Sequence, residues 1–328
     1  MIKMIENDIL EFANASKALC YCVDKLLEKN KIIKSENIKN KETYKKEIIE
    51  IHPTLFMIKN PKQVIFKHRK YKLMPYWFVS EVLTEMLGLE RPLMTNYRKD
   101  IMDWSYEMLE SGRPCYGYGI KWLKYNSFEK TIKRLKNNPT SKRCYIPIFD
   151  PQDLGDSLDA PCNVGFSLLC RDNKLDFTLF NRSTDIMRGW KNDIPLFSFI
   201  HQFFASCLGM ELGNFYYFSN SLHIYIKDID KLKALKAYLS YHEDEINELE
   251  LDKNMEVGKF YDDLRVLLDI EVLSRNKSLP AAKEKLKLLN YKFARDFGRI
   301  YIMKNCGFLP EINKIETELE TSIRGWYV

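Results

Sequence analysis

The 328-residue chain is 45% hydrophobic and 13% aromatic, which excludes an intrinsically disordered polypeptide and allows a full core, as one large domain or a domain with additions. Its 51 basic residues face 45 acidic ones, so the formal charge of +6 is a small excess spread along the chain. That balance suits an anionic small molecule as well as nucleic acid.

No run approaches the length of a membrane span, and none of the eight cysteines has the CxxC spacing of a zinc site or redox motif. Glu6 and Asp8 interrupt any signal-like apolar start, so a cytoplasmic setting with free thiols is expected. Residues 1–50 read as a helical extension. Ile9, Phe12, Ala15, Leu19 and Val23 recur at helical spacing, and the charged segment 30–46 reads as a solvated helix or linker. Lys59, Lys62, Lys67, His68, Arg69 and Lys70 gather around the strand-like run Val64-Ile65-Phe66, either as a solvated surface or as a loop reaching a phosphate. Residues 75–87 form an amphipathic helix with Phe78, Val82, Leu83 and Leu87 on its apolar side. Glu81 falls beside that stripe, where the pattern favours a solvated flank over a buried acid.

Residues 101–109, with Asp103 and Trp104, read as another helix. In GRPCYGYGIKW (112–122) glycines alternate with aromatics, as in a turn or strand entrance. A helix over 128–136 and a strand over 141–149 follow, with Lys142 and Arg143 at the strand's start. Strands over 163–170 and 174–181 are joined by the turn Arg171-Asp172-Asn173. Residues 194–208 form a helix too apolar to be anything but buried. Two further strands cover 213–218 and 221–226. Beyond residue 228 come Leu/Lys/Glu-rich helices, interrupted near Gly258 and Pro280. The expected class is α+β: a helical extension (1–50), a core of strands packed by one apolar helix (51–230), and a helical section packed on that core (231–328).

Within residues 160–193 a cysteine follows a proline, two strands run out and back, and Asn181, Arg182, Ser183, Asp185 and Asp193 come after them. A thiol, a guanidinium and two carboxylates on a β-rich scaffold suit nucleophilic chemistry on an anionic substrate. Each residue alone has an ordinary explanation. Cys162 could be a small core hydrophobe, Arg182 a surface ion pair, Asp193 the N-cap of the next helix, and His223 a satisfied core histidine.

Their order decides otherwise. Pro161-Cys162, Asn181-Arg182-Ser183-x-Asp185, Gly189 and Ser221-Leu222-His223-Ile224-Tyr225 resemble the signature of the thymidylate synthase superfamily. Glu81, Trp104, Tyr118 and the basic pair Lys142-Arg143 fall in the family's order too. The resemblance covers roughly residues 59–228. It implies a synthase-like core with a mainly antiparallel or mixed sheet.

The departures narrow the expectation. Synthases carry an asparagine at the position of Asp193, whose amide pairs with uracil. A carboxyl instead suits cytosine: one oxygen accepts from the exocyclic amine while the other shares a proton with the ring nitrogen. Asn163 replaces the histidine that follows the synthase cysteine. Lys142 replaces one of two arginines that cross to the partner subunit's phosphate, keeping charge but losing the bidentate fork. The strings GWKNDIPLF and SLHIY resemble deoxycytidylate and cytidylate hydroxymethylases most closely, and the long helical ends resemble cytidylate hydroxymethylases of antimetabolite pathways.

What the resemblance implies is 5-hydroxymethylation of CMP, or of dCMP, with 5,10-methylenetetrahydrofolate as co-substrate and no metal. Cys162 would be the nucleophile, with Glu81 and Tyr118 ordering a water. Lys142, Arg143, Arg182 and Ser183 would hold the phosphate, and Asn181, Asp185, His223 and Tyr225 would complete the nucleotide site. Asp193 would orient and polarise the base. Trp104, Asp185 and Gly189 would meet the folate, and Lys59 or Lys62 could replace the family's phosphate-loop arginine. A homodimer is implied, with Lys142 and Arg143 donated across its interface; neither membrane nor nucleic acid is required. Three alternatives stand beside this: a dCMP hydroxymethylase of DNA modification, a dUMP-methylating synthase, and a non-catalytic nucleotide-binding relative, which would have no need of the thiol.

Overall fold

The computed structural model describes residues 9–39, 42–66, 71, 73–97, 117–154, 160–242 and 246–307. In chain order these give β1 (Leu10–Phe12), α1 (Ala15–Glu28), β2 (Ile33–Lys39), β3 (Glu42–Ile51), β4 (Thr54–Ile58), β5 (Gln63–Phe66) and α2 (Pro75–Leu87). Next come α3 (Tyr118–Lys124), α4 (Ser127–Asn137), β6 (Tyr145–Pro147), β7 (Asn163–Arg171), β8 (Lys174–Asn181) and β9 (Thr184–Asp185). The remainder comprises α5 (Gly189–Leu208), β10 (Glu211–Ser219), β11 (Leu222–Tyr225), α6 (Ile229–His242), β12 (Ile246–Glu248), α7 (Val257–Arg275), α8 (Leu279–Leu286) and α9 (Lys292–Cys306).

The chain is α+β, with a mixed sheet ordered β1-β4-β10-β8-β7-β6. Along β8 and β10 every second residue is buried, so Leu175, Phe177, Leu179, Phe215 and Tyr217 share one face. Phe177 and Phe215 are register partners whose rings stack at 5.2 Å. Against this face lies α5, whose Phe197 ring sits 5.9 Å from Phe166 and 6.2 Å from Phe177. Each phenylalanine so buried stabilises the fold by ~2–3 kcal/mol. That burial is why α5 continues through Pro195, which by itself would cost an exposed helix about 3 kcal/mol. The C-terminal helices close the other side of α5. Phe199 stacks on Phe297 of α9 at 6.0 Å, and Phe297 meets Phe78 of α2 edge-on at 5.9 Å.

A second sheet, ordered β2-β3-β11-β9, carries Asp185, His223 and Tyr225. Here the sequence expectation is corrected: within residues 1–50 only Ala15–Glu28 is helical among the described residues, and the charged segment expected as helix or linker is the hairpin of β2 and β3. The hairpin forms because β3 has a partner far along the chain, pairing antiparallel with β11 from Leu222↔Ile51 to Tyr225↔Ile48. The strand expected over 141–149 is regular only at Tyr145–Pro147. Tyr118 opens a helix rather than a strand. Helix α5 begins at Gly189, five residues earlier than its apolar run suggests.

Candidate active site

The β7–β8 hairpin assembles the thiol group. Its turn residues Asp172 and Asn173 take positive φ (49° and 60°), and the register brings Asn163 opposite Asn181. One step further on, the Arg182 amide donates to the Cys162 carbonyl at 2.9 Å. The guanidinium is fixed by the chain it faces: Nε donates to the Pro161 carbonyl at 2.9 Å and Nη2 to the Ala160 carbonyl at 2.7 Å. Held there, Nη2 lies 3.9 Å from Cys162 Sγ, and Ser183 Oγ lies 3.8 Å from the same sulfur. A half-buried thiol beside a cation and a hydroxyl is set up to react as thiolate.

Behind the sulfur stands a buried polar group. Asn163, fully buried at the start of β7, donates through Nδ2 to the Tyr118 hydroxyl at 2.8 Å. Asp193 is the fifth residue of α5, so it does not cap that helix. Burial pushes its carboxyl up to about 7, against a hydrogen bond from the Asn163 side chain. Gly189 leaves it room, since a Cβ there would come within 3.3 Å of Asp193 Oδ2. Glu81 is not the solvated flank its place in the pattern favours. Its Oε2 is buried without a partner, and burial, then Asp193 and Glu85, drive its carboxyl far above the usual range. Burial does the same to the Tyr118 phenol, helped by Asp193 and Cys162.

The β9–β11 pair supplies the next residues, because its parallel register sets Asp185 beside His223. Asp185 Oδ1 accepts from the Met187 amide at 2.8 Å, and Oδ2 lies 3.5 Å from Arg188. Burial raises the Asp185 carboxyl and lowers the His223 imidazole, while each partly offsets the other's shift. Tyr225, two residues on, has Lys46, Arg188 and Lys227 over its ring at 4.8, 5.7 and 5.9 Å. Asn181 Nδ2 donates to the Phe218 carbonyl at 3.2 Å. Its Oδ1, with Asn163 Oδ1 and His223 Nδ1, is buried without a hydrogen-bond partner. Such atoms suit a polar ligand.

Other expected residues stand apart. Lys142 and Arg143 are exposed ahead of β6, where with Arg134, Asn138, Thr140 and Ser141 they line an open surface depression of about 410 Å³. Among the described residues they make no contact with the Cys162 group. Lys59 pairs with Glu11, and Lys62 with Glu250 at 2.6 Å. Trp104, the basic run 67–70 and the segment 101–109 lie outside the described residues. Glu85, one turn beyond Glu81 on α2, is a buried acid that the sequence reading passed over. Its signal was the four-residue spacing from Glu81, which puts both on one side of a helix.

Residues 54–278 match the thymidylate synthase family, and the chain belongs to it. It is similar to the deoxyuridylate hydroxymethyltransferase of Bacillus phage SP01, at 28% identity over 200 residues, 56% of this chain and 52% of that protein. It is also similar to the thymidylate synthase of Corynebacterium aurimucosum, at 25% identity over 173 residues, 50% of this chain and 63% of that protein. The chain therefore spans between about half and two thirds of the length of these relatives.

Proposed function

We propose that the protein is a 5-hydroxymethylase of a cytosine nucleotide, CMP or dCMP, using 5,10-methylenetetrahydrofolate as co-substrate. The observation that carries the base is Asp193: buried, freed from capping, and with its carboxyl pushed up to about 7 by burial. A carboxyl with that affinity can share one proton with the cytosine ring nitrogen while its other oxygen accepts from the exocyclic amine. Once ionised it presents only acceptors, which oppose the uracil carbonyl. Ribose is favoured over deoxyribose by Lys142 in place of the second arginine.

In this reading Cys162, as thiolate beside Arg182, adds to ring carbon 6, and carbon 5 becomes the nucleophile. Bound methylenetetrahydrofolate would supply the one-carbon unit to carbon 5, which gives up its proton to solvent as tetrahydrofolate leaves; Asp185 and Gly189, with Trp104, are the residues that would hold it. In its ionised form Glu81 takes the proton of the water that adds to the resulting methylene group, with Tyr118 orienting that water, and Cys162 is then expelled as thiolate. A raised carboxyl suits a group that must gain and release a proton in each cycle. Arg182, Ser183, Lys142 and Arg143 would hold the phosphate, the last two from a second subunit, with Asn181, His223 and Tyr225 on base and sugar.

The outer face of the six-stranded sheet supports the homodimer. Leu55, Phe218 and Phe180 are successive register partners on that face, and the Tyr145 ring lies 5.8 Å from Phe180. Leu55 and Tyr145 are 45% and 47% exposed, an apolar row fit to meet its copy.

A second reading, hydroxymethylation of deoxyuridylate, draws support from the name of the phage relative. One experiment separates the two. CMP, dCMP and dUMP are offered together with the folate and the products weighed by mass spectrometry. A hydroxymethyl gain on a cytosine nucleotide is expected; a gain on dUMP alone sinks the cytosine assignment, and a methyl gain with dihydrofolate indicates a synthase.

A further inference from the structure

Glu85 is only 5% exposed, yet it is not a packing residue. Its Oε2 accepts from the Gly119 amide at 2.8 Å, and the Tyr118 amide also donates to the carboxyl. These are the first two amides of α3, which has no side-chain cap of its own at Gly117. The two helices touch at this point: a Cβ on Gly119 would overlap the Glu85 backbone carbonyl. Burying a carboxyl there costs desolvation that leucine would avoid, offset only by those two amides. From Tyr118 the contacts run on through its hydroxyl to Asn163 at 2.8 Å, and from the Asn163 side chain to Asp193.

We propose that Glu85 is a positioning residue: it pins the start of α3 onto α2 and thereby fixes where the Tyr118 hydroxyl, the Asn163 amide and the Asp193 carboxyl stand against the base. The inference rests on the cytosine-nucleotide reading for its kinetic consequence, but its structural consequence is independent of any substrate. Nothing in it asks Glu85 to touch the nucleotide. It acts through backbone amides, so its loss should impair turnover more than affinity.

The test compares the wild-type chain with Glu85→Gln and Glu85→Ala. Hydrogen exchange by mass spectrometry over residues 117–124 should show protection lost in E85A and about half lost in E85Q, whose side chain keeps a single acceptor oxygen. With CMP and dUMP each supplied with the folate, kcat should fall ~100-fold in E85A and ~10-fold in E85Q, with KM changed less than about threefold, since misplacing a reacting group by an ångström costs on the order of 10²-fold. A folded variant with wild-type protection and wild-type kcat overturns the proposal, as does a loss confined to KM. Should E85A fail to fold, E85Q decides. If wild type converts neither nucleotide, the proposed reaction fails, while exchange over 117–124 still decides the role of Glu85.

Discussion

In the proposed function Cys162 and Asp193 carry separate parts, the reaction and the choice of base, and each can be tested alone. Replacing Cys162 by alanine should abolish turnover and the release of tritium from carbon 5; surviving release would remove the nucleophile assignment. Asp193→Asn restores a donor and an acceptor in place of the carboxyl, so the ratio of kcat/KM for CMP over dUMP should fall by ~10² or more, as expected when buried polar groups face the wrong base edge. An unchanged ratio would detach Asp193 from base recognition. The same carboxyls govern stability. Asp193 and Glu85 bind protons more tightly folded than their ordinary values of 3.8 and 4.5, up to about 7 and about 8. Their contribution is therefore complete below about pH 4 and is lost as pH rises through 7 to 8, at about 1.4 kcal/mol per unit of displacement. Urea midpoints of D193N should exceed those of wild type at pH 9 by more than at pH 5; a gap independent of pH would contradict this.

Among the elements, the α2–α3 contact is the tightest tied to the site. Gly119→Ala forces a methyl into the Glu85 carbonyl and should cost about 1–3 kcal/mol or more in urea unfolding. An unaffected midpoint would mean that the helices can part freely. This contact also shows why parts of the chain resisted reading. The hairpin of β7 and β8 was legible because two apolar runs flank Asp172 and Asn173, residues that accept positive φ. Helix α3 was not, since seven residues have little helical stability alone and their cap comes from 34 positions upstream. Nor was the β2–β3 hairpin, whose charged sequence carries no alternation; β11, distant in sequence, gives it its form. Family motifs marked Cys162, Arg182, Asp185 and His223, whereas Glu85 belongs to no motif and required the packing to be seen.

For the whole molecule the outer sheet face makes the assembly testable. Leu55→Asp sets a charge at one end of the apolar row, and sedimentation should show wild-type dimers replaced by monomers with much reduced turnover. A variant that stays dimeric would move the interface elsewhere. Chain order adds one thing more. Ser221 Oγ donates to Glu50 at 2.6 Å across 171 positions, and β3 borders the strand that bears His223 and Tyr225. During synthesis the N-terminal hairpin therefore emerges long before the strand it borders, and its open edge must wait for well over a hundred further residues. The candidate site is accordingly complete only once residue 225 has emerged, and a ribosome stalled before residue 221 would hold a chain that has its thiol and its arginine but not the strand that bears His223 and Tyr225.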